Sequence, residues 1–235
     1  MSEDSSAEGV ARPAEAIVDE YELWEVSDHG FFRELSGRHV DYEALWLLMA
    51  NLQYGISSHF VRWLARLIER VDDLRIASVA AKQLNDELGN GDCNEMHSVL
   101  LERFVAGLEA CFTRDHSRDW LQPGRGLLSA MTTVFSASEP YEGVGALMVS
   151  EIFAKKMDRC LGAEIRRQNA LSRETLRWLD LHEQLEVDHA ADSYEIAVLV
   201  PDHGPQLAAV WRGARAQWEA LWGFLDEVQA LADRR

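Results

Sequence analysis

Apolar residues return every three or four positions along nearly the whole chain, and no stretch alternates long enough to make a strand. The run DYEALWLLMANLQYGISSHFVRWLARLIER, residues 41–70, carries the stripe Leu45, Leu48, Leu52, Phe60, Leu64 and Leu67, with Asp41 placed to cap its start. This periodicity admits helices packed on helices. It excludes a sandwich or barrel, as do the scarcity of β-branched runs and the five prolines. The expected class is all-α. A second helix is expected over about Asp73–Leu88. A third starts from Asp92, with Glu95 completing a capping box, and runs to about Phe112. The stretch DHSRDWLQPGRG reads as loop and LLSAMTTVF as a short helix. Ser138 and Pro140 open a helix through about Asn169. Ser172 and Asp202 are placed to cap the last two, through about Val198 and Ala232. The count is seven or eight, in one domain over residues 15–235, after a polar, flexible tail over 1–14.

A chain of 235 residues buries a sizeable single core. Its net charge of −17 repels nucleic acid and anionic membrane surfaces, so neither is expected as a partner. The acidic start lacks the basic and apolar regions of a signal peptide, and no run approaches 18 apolar residues, so a cytoplasmic location is expected. The three cysteines, Cys93, Cys111 and Cys160, form no CxxC pair and fit a reducing compartment, with Cys93 a packed thiol rather than a nucleophile.

Three segments place charged or titratable groups where a core belongs. In RWLDLHEQLEVDHAADSYEI, residues 177–196, helical rotation of roughly 100° per residue puts His182, Glu186 and His189 within an arc of about 60°. Trp178, Leu185 and Ile196 lie in or beside that arc. Asp180, Glu183, Gln184 and Asp188 point elsewhere. Buried carboxylates are costly unless paired, hydrogen-bonded or metal-bound. Glu151 shares a face with Val144, Leu147, Met148 and Ala154, and Lys155 one turn on is a candidate to neutralise it. Gly143, Gly145 and Ala146 leave room for a close-packed neighbour. In NDELGNGDCNEMH, residues 85–97, Glu87 and His97 would stand roughly 15 Å apart on one straight helix. The glycines break the helix, and a reversal there can bring the two together, or simply make a glycine-capped hairpin. Each segment has its plain structural reading. Together they supply three carboxylates and three imidazoles, a set that suits a pair of iron or manganese ions. A ferritin-like centre needs two Glu-x-x-His motifs, and only Glu186–His189 is present.

The order of these pieces resembles the haem-oxygenase-like di-metal oxidases and oxygenases: Glu, a glycine break and His; a Glu after Gly-Ala-Leu; then His-x3-acid-x2-His. The resemblance covers about residues 40–200. It implies a haem-oxygenase-like bundle of about seven helices, commonly dimeric. It also implies Glu87, His97, Glu151, His182, Glu186 and His189 as ligands of two Fe(II), or of an Fe/Mn pair, with O2 as co-substrate. The substrate class it implies is a small, amino-acid-derived molecule of a bacterial natural-product pathway. Two departures stand out. The family usually has Asp where Glu186 stands, with Asp188 as the fallback ligand. Members that hydroxylate nitrogen add a carboxylate from the preceding helix, and SSHFVRWLAR has none, which leans towards C–C cleavage, desaturation or a related oxidative rearrangement. Lys155, Lys156, Arg62 and His59 are candidate substrate anchors. The competing expectations are a metal-independent protein of the same fold, either a thiaminase-like hydrolase or a cofactorless oxidase, and a non-catalytic helical interaction module.

Overall fold

A computed structural model describes residues 13–36, 41–113, 119–168 and 171–234, without the side chains of Gln168, Glu186 and Val187. The expected tail falls mostly outside those residues, while Ala14, at its end, is already buried. The described chain is helical without strands: α1 (Glu15–Glu22), α2 (Gly30–Ser36), α3 (Tyr42–Leu52), α4 (Ser58–Arg70), α5 (Leu74–Glu87), α6 (His97–Glu109), α7 (Gln122–Phe135), α8 (Pro140–Gln168), α9 (Arg177–Leu199) and α10 (Pro205–Ala232). No described helix is long and apolar enough to cross a membrane.

Helix α3 lies at the centre. Its sequence ALWLLMANL is apolar all round, and Leu45, Leu47, Leu48 and Met49 are fully buried, as such a helix requires. Asp41 caps it by accepting from the Ala44 amide at 3.1 Å. Helix α4 is two-faced instead: Phe60, Trp63, Leu64 and Leu67 are buried at helical spacing, while Arg62 is exposed. Between them the expected single long helix widens into a π-helical turn over Gln53–Ser57. Gly55 there faces the backbone of Gly124 closely enough to leave no room for a Cβ. Asn51 braces the same joint, donating to the Leu47 and Trp120 carbonyls at 2.8 and 2.9 Å and accepting from the Gly124 amide at 2.7 Å.

Helices α8 and α10 form the long spine. A Cβ on Gly145 would run into the Val210 carbonyl, and one on Gly213 into the Glu142 carbonyl, so the two backbones meet at reciprocal glycines. Gly145→Ala should therefore cost about 2 kcal/mol or more from overpacking. That corresponds to a melting temperature roughly 4–8 °C lower, read by circular dichroism, whereas Gly223→Ala, with open space around it, should not destabilise.

The periodicity misses α1 and α2, which are short. Both are strapped to the long helices by polar contacts: Lys156 donates to the Glu22 carbonyl at 2.7 Å, Lys155 pairs with Glu22, and His29 lies 3.0 Å from Asp226. Several boundaries also differ from expectation. Asp92 makes a local turn to the Asn94 amide at 2.9 Å, and α6 begins only at His97. Ser172 accepts from the Thr175 amide at 3.1 Å within a turn preceding α9. The last helix begins at Pro205, after Gly204, rather than at Asp202. The segment QPGRG, read as loop, is the first turn of α7, because a proline near a helix start needs no amide donor.

Candidate metal centre

Glu87 is the last residue of α5 and His97 the first of α6. The chain between them reverses through Gly89, Asn90 and Gly91, with φ of 69°, 52° and 93°. Three left-handed residues in succession turn the backbone where a helix would have carried it onward. The reversal brings His97 Nδ1 to 3.0 Å from Glu87 Oε1, both side chains buried, in an ion pair whose angle is off hydrogen-bond geometry. The break thus does more than join two helices: it aims a carboxylate and an imidazole at one another.

Helices α8 and α9 supply the other side. His189 stands between two carboxylates, with Nδ1 3.2 Å from Glu151 Oε2 and Nε2 3.3 Å from Asp86 Oδ2. His182 Nδ1 is 3.2 Å from Asp158 Oδ2. The His182 ring packs on that of His97, with centroids 4.6 Å apart, and on Trp178 at 4.2 Å. The acids and bases are thus matched in pairs; among the described residues no three such groups converge as a ready-made metal cage. An apolar cavity of about 100 Å³ lies beside them. Glu87, His97, Glu151, Asp158 and His182 form its polar end, and Ile56, Phe60, Leu101, Phe153, Met157 and Leu221 are among its apolar walls. Ile56 and Ser57 reach it from the π-helical turn, a local geometry that recurs at functional sites.

Burial and pairing set the protonation of this cluster. Burial alone would raise the Glu87 carboxyl, but His97, His182 and His189 reverse this and hold it below its usual value. His97 is raised, because the pull of Glu87 outweighs burial. Burial likewise opposes charge on His189, yet its contacts with Glu151 and Asp86 hold it up to about 9. His182 is pushed by burial, and then by His97, down to about 3. Burial, with Glu183 adding to it, raises Asp158 well above the ordinary carboxylate range. His182 is therefore neutral near neutral pH, whereas His189 is an imidazolium.

A metal ion can take a nitrogen of His189 only after its proton leaves. The charged form stabilises the metal-free fold fully below about pH 6.5, and that contribution is lost as pH rises through about 9. The metal-free protein should accordingly melt at lower temperature as pH goes from 7 to 9.5. Over the same range apparent Zn(II) affinity should rise, by about tenfold per unit for each proton displaced. Chelator competition at pH 7, 8 and 9 reads this; affinity that is flat or falls with pH would contradict it.

Five of the six anticipated residues, Glu87, His97, Glu151, His182 and His189, come together. The side chain of Glu186, the sixth, lies outside the described residues; its backbone is in α9 between the two histidines. Asp188 is exposed. The candidate substrate anchors stand elsewhere: Lys155 and Lys156 hold Glu22 and Glu25, Arg62 is exposed, and His59 stacks on Trp63. Two carboxylates escaped the sequence reading. Asp158 follows Glu151 by seven residues, two helical turns along the same face, so its position was readable in EIFAKKMD. Asp86 had no such signal, being adjacent to Glu87 and half-buried.

The donor set fits iron. Carboxylates and imidazoles provide the mixed oxygen and nitrogen ligation such ions take. His97 Nε2 is buried with no hydrogen-bond partner, an unfavourable state that a cation would relieve.

Comparison with known proteins follows the same line. A comparison with the curated proteins gives no match. Among solved structures, the chain is similar to a domain of unknown function with a haem-oxygenase-like fold from Shewanella denitrificans, at 15% identity and a TM-score of 0.69, covering 94% of this chain and 90% of that one. It is similar to a CADD-like protein of unknown function from Nostoc punctiforme, at 13% identity and a TM-score of 0.69, covering 92% and 96%. A TenA homologue from Pseudomonas syringae pv. tomato matches at 13% identity and a TM-score of 0.69, covering 92% and 91%. At these identities the likeness establishes the haem-oxygenase-like fold. A family model described as iron-containing redox enzyme matches residues 49–222, which span both the glycine reversal and all of α8 and α9. The chain belongs to that family of iron-containing redox enzymes.

Proposed function

We propose that the protein is an O2-dependent non-haem oxidoreductase holding two iron ions, or one iron and one manganese, between α5, α6, α8 and α9. The observation that carries this reading is that Glu87, His97, Glu151 and His182 line one apolar cavity, with His189 behind them in contact with Glu151. Such a metal pair, when bound, supplies electrons to O2. The chain's own residues do the rest. Glu87 and Glu151 offset the cationic charge. His97, His182 and His189 offer ring nitrogens to the metals; His189 gives up a proton to do so, whereas His182 is already neutral. Phe60, Phe153, Met157 and Leu221 exclude water from the space next to the metals, which protects a reactive oxidant from quenching.

The substrate in this reading is a small amino-acid-derived molecule from a natural-product pathway. The reaction is a C–C cleavage, desaturation or related rearrangement, and the protein works as a cytoplasmic homodimer. The absence of an acidic residue in SSHFVRWLAR supports this choice of chemistry over N-hydroxylation. A thiaminase-like hydrolysis is the second reading, favoured by the TenA homologue among the fold neighbours. Against it, the described cavity lining includes no cysteine, and Cys93 and Cys111 are exposed.

The test is anaerobic loading with Fe(II), metal counting, and an O2 pulse followed by visible absorbance and O2 uptake. Two irons per chain and rapid O2 consumption are expected. Protein that takes up no iron sinks the proposal. Glu186→Ala should lose at least one metal under the same loading, Glu186→Asp should keep both, and Asp188→Ala should keep both with modest loss of activity. Loss of metal in Asp188→Ala alone would reverse the choice between the two acids.

A further inference from the structure

The two histidines of α9 are each contacted by a carboxylate that belongs to a different helix and to neither the Glu87 nor the Glu151 position. Asp158, from α8, is fully buried and contacts His182 at Nδ1, 3.2 Å away. Asp86, from α5, contacts His189 at Nε2, 3.3 Å away. The nitrogens differ. Whichever way the proton sits, the Asp158 contact is made at Nδ1 of His182, so a metal on that ring would take Nε2. The Asp86 contact commits Nε2 of His189 and turns Nδ1 towards Glu151, 3.2 Å distant. A histidine that binds metal through one nitrogen commonly gives the other N–H to a carboxylate, which fixes the ring and raises its basicity. Here a carboxylate stands beside a ring nitrogen twice, at Nδ1 of His182 and at Nε2 of His189.

We propose that Asp158 and Asp86 are positioning residues for the metal pair, fixing His182 to bind through Nε2 and His189 through Nδ1. This rests on the di-metal reading above and deepens it. It also accounts for a fully buried aspartate outside the ligand set, because an apolar interior tolerates such a group only when it is paired. The opposed nitrogens have a geometric cause. His182 and His189 are seven residues apart on one face of α9, so their rings share a direction. Asp158 and Asp86 approach from different helices. Each carboxylate meets the nitrogen on its own side, so a metal bound by each ring would take the opposite nitrogen.

The experiment uses the full chain labelled with 15N-histidine and loaded with Zn(II), which is diamagnetic. Long-range 1H–15N spectra should show His182 bound through Nε2 with a proton on Nδ1, and His189 bound through Nδ1 with a proton on Nε2. Asp158→Ala should abolish the first pattern and weaken one metal by about 10–100-fold in chelator competition; Asp86→Ala should do the same for His189. Asp158→Asn, whose amide oxygen still accepts from Nδ1–H, should recover most of the affinity and remain folded even if the alanine variant does not. A purely structural Asp158 predicts the reverse for Asn: altered melting of the metal-free chain with Zn(II) affinity unchanged. Two zinc ions bound through the same nitrogen of both rings, or patterns untouched by the Ala and Asn variants, would overturn this inference and leave the di-metal reading standing. Failure of the parent to bind any Zn(II) or Fe(II) would overturn both.

Discussion

Glu151→Ala is expected to leave the chain folded, strip it of at least one metal and abolish O2 consumption. Glu151 is 4% exposed and stands 3.2 Å from His189 Nδ1, midway along α8 where Leu147, Met148 and Ile152 pack the core. In the di-metal reading proposed above, its removal takes away a negative oxygen ligand. Loss of a directly bound carboxylate should exceed the roughly 10–100-fold penalty of losing an outer partner. The metal-free state responds differently. His189 keeps Asp86 at 3.3 Å but loses its larger support, so its imidazole should titrate below the value of about 9 that it has in the parent. Because the ring can shed its proton, the fold escapes the cost of an unpaired buried charge. Glu151→Gln separates the two effects: it preserves volume and one acceptor oxygen, so the cavity should not collapse, yet metal should still be lost. Iron per chain after identical anaerobic loading is the measurement. An alanine variant that holds two irons would remove Glu151 from the site.

Gly89→Ala should be the most damaging single methyl group at the Glu87–His97 reversal. The residue has φ 69°, and a Cβ there would lie 2.6 Å from the Glu95 carbonyl carbon and 2.7 Å from the Met96 amide nitrogen. Both are backbone atoms, so neither can swing aside. Left-handed backbone costs a non-glycine residue roughly 1–2 kcal/mol, and the clash adds to it. A melting temperature about 4–8 °C lower follows for roughly 2 kcal/mol in a chain of this size. The functional loss should be larger than that stability change implies, because Glu87 and His97 flank the reversal and relaxing it separates them. Gly91 is the control. Its φ is 93°, but a Cβ there meets nothing within 4 Å, so Gly91→Ala should pay the strain alone and keep metal. Equal effects at both positions would mean that the close approach to Glu95 and Met96 plays no part.

Much of this architecture was legible because helices announce themselves by period. The stripe from Leu45 to Leu67, the Asp41 cap and the small residues of α8 each lead to an observed feature: a buried central helix, an amide contact at Ala44, and the α8–α10 glycine crossing. Helices α1 and α2 were not legible, since seven or eight residues give barely two turns and no stripe to measure. The candidate site was legible to the extent that its groups interrupt an apolar face. Glu151, His182 and His189 do so within one helix each, and Glu87 and His97 do so around a break. Pairing was not legible. Whether Asp158 meets His182 or Asp86 meets His189 depends on how α5, α8 and α9 cross, and no periodicity within one helix carries that information.

The π-helical turn at Gln53–Ser57 has a consequence for how this cavity can change over generations. Such a turn holds one residue more than an α-helical turn without rotating the helix on either side of it. Deleting Ile56 would therefore let α3 run into α4 as an ordinary helix while Phe60, Trp63, Leu64 and Leu67 keep their inward face. What disappears is a piece of wall, since Ile56 itself lines the cavity that Glu87, His97, Glu151 and His182 also line. The shape of the cavity is thus adjustable by a change one codon long, in a part of the chain that supplies none of the groups proposed to bind metal.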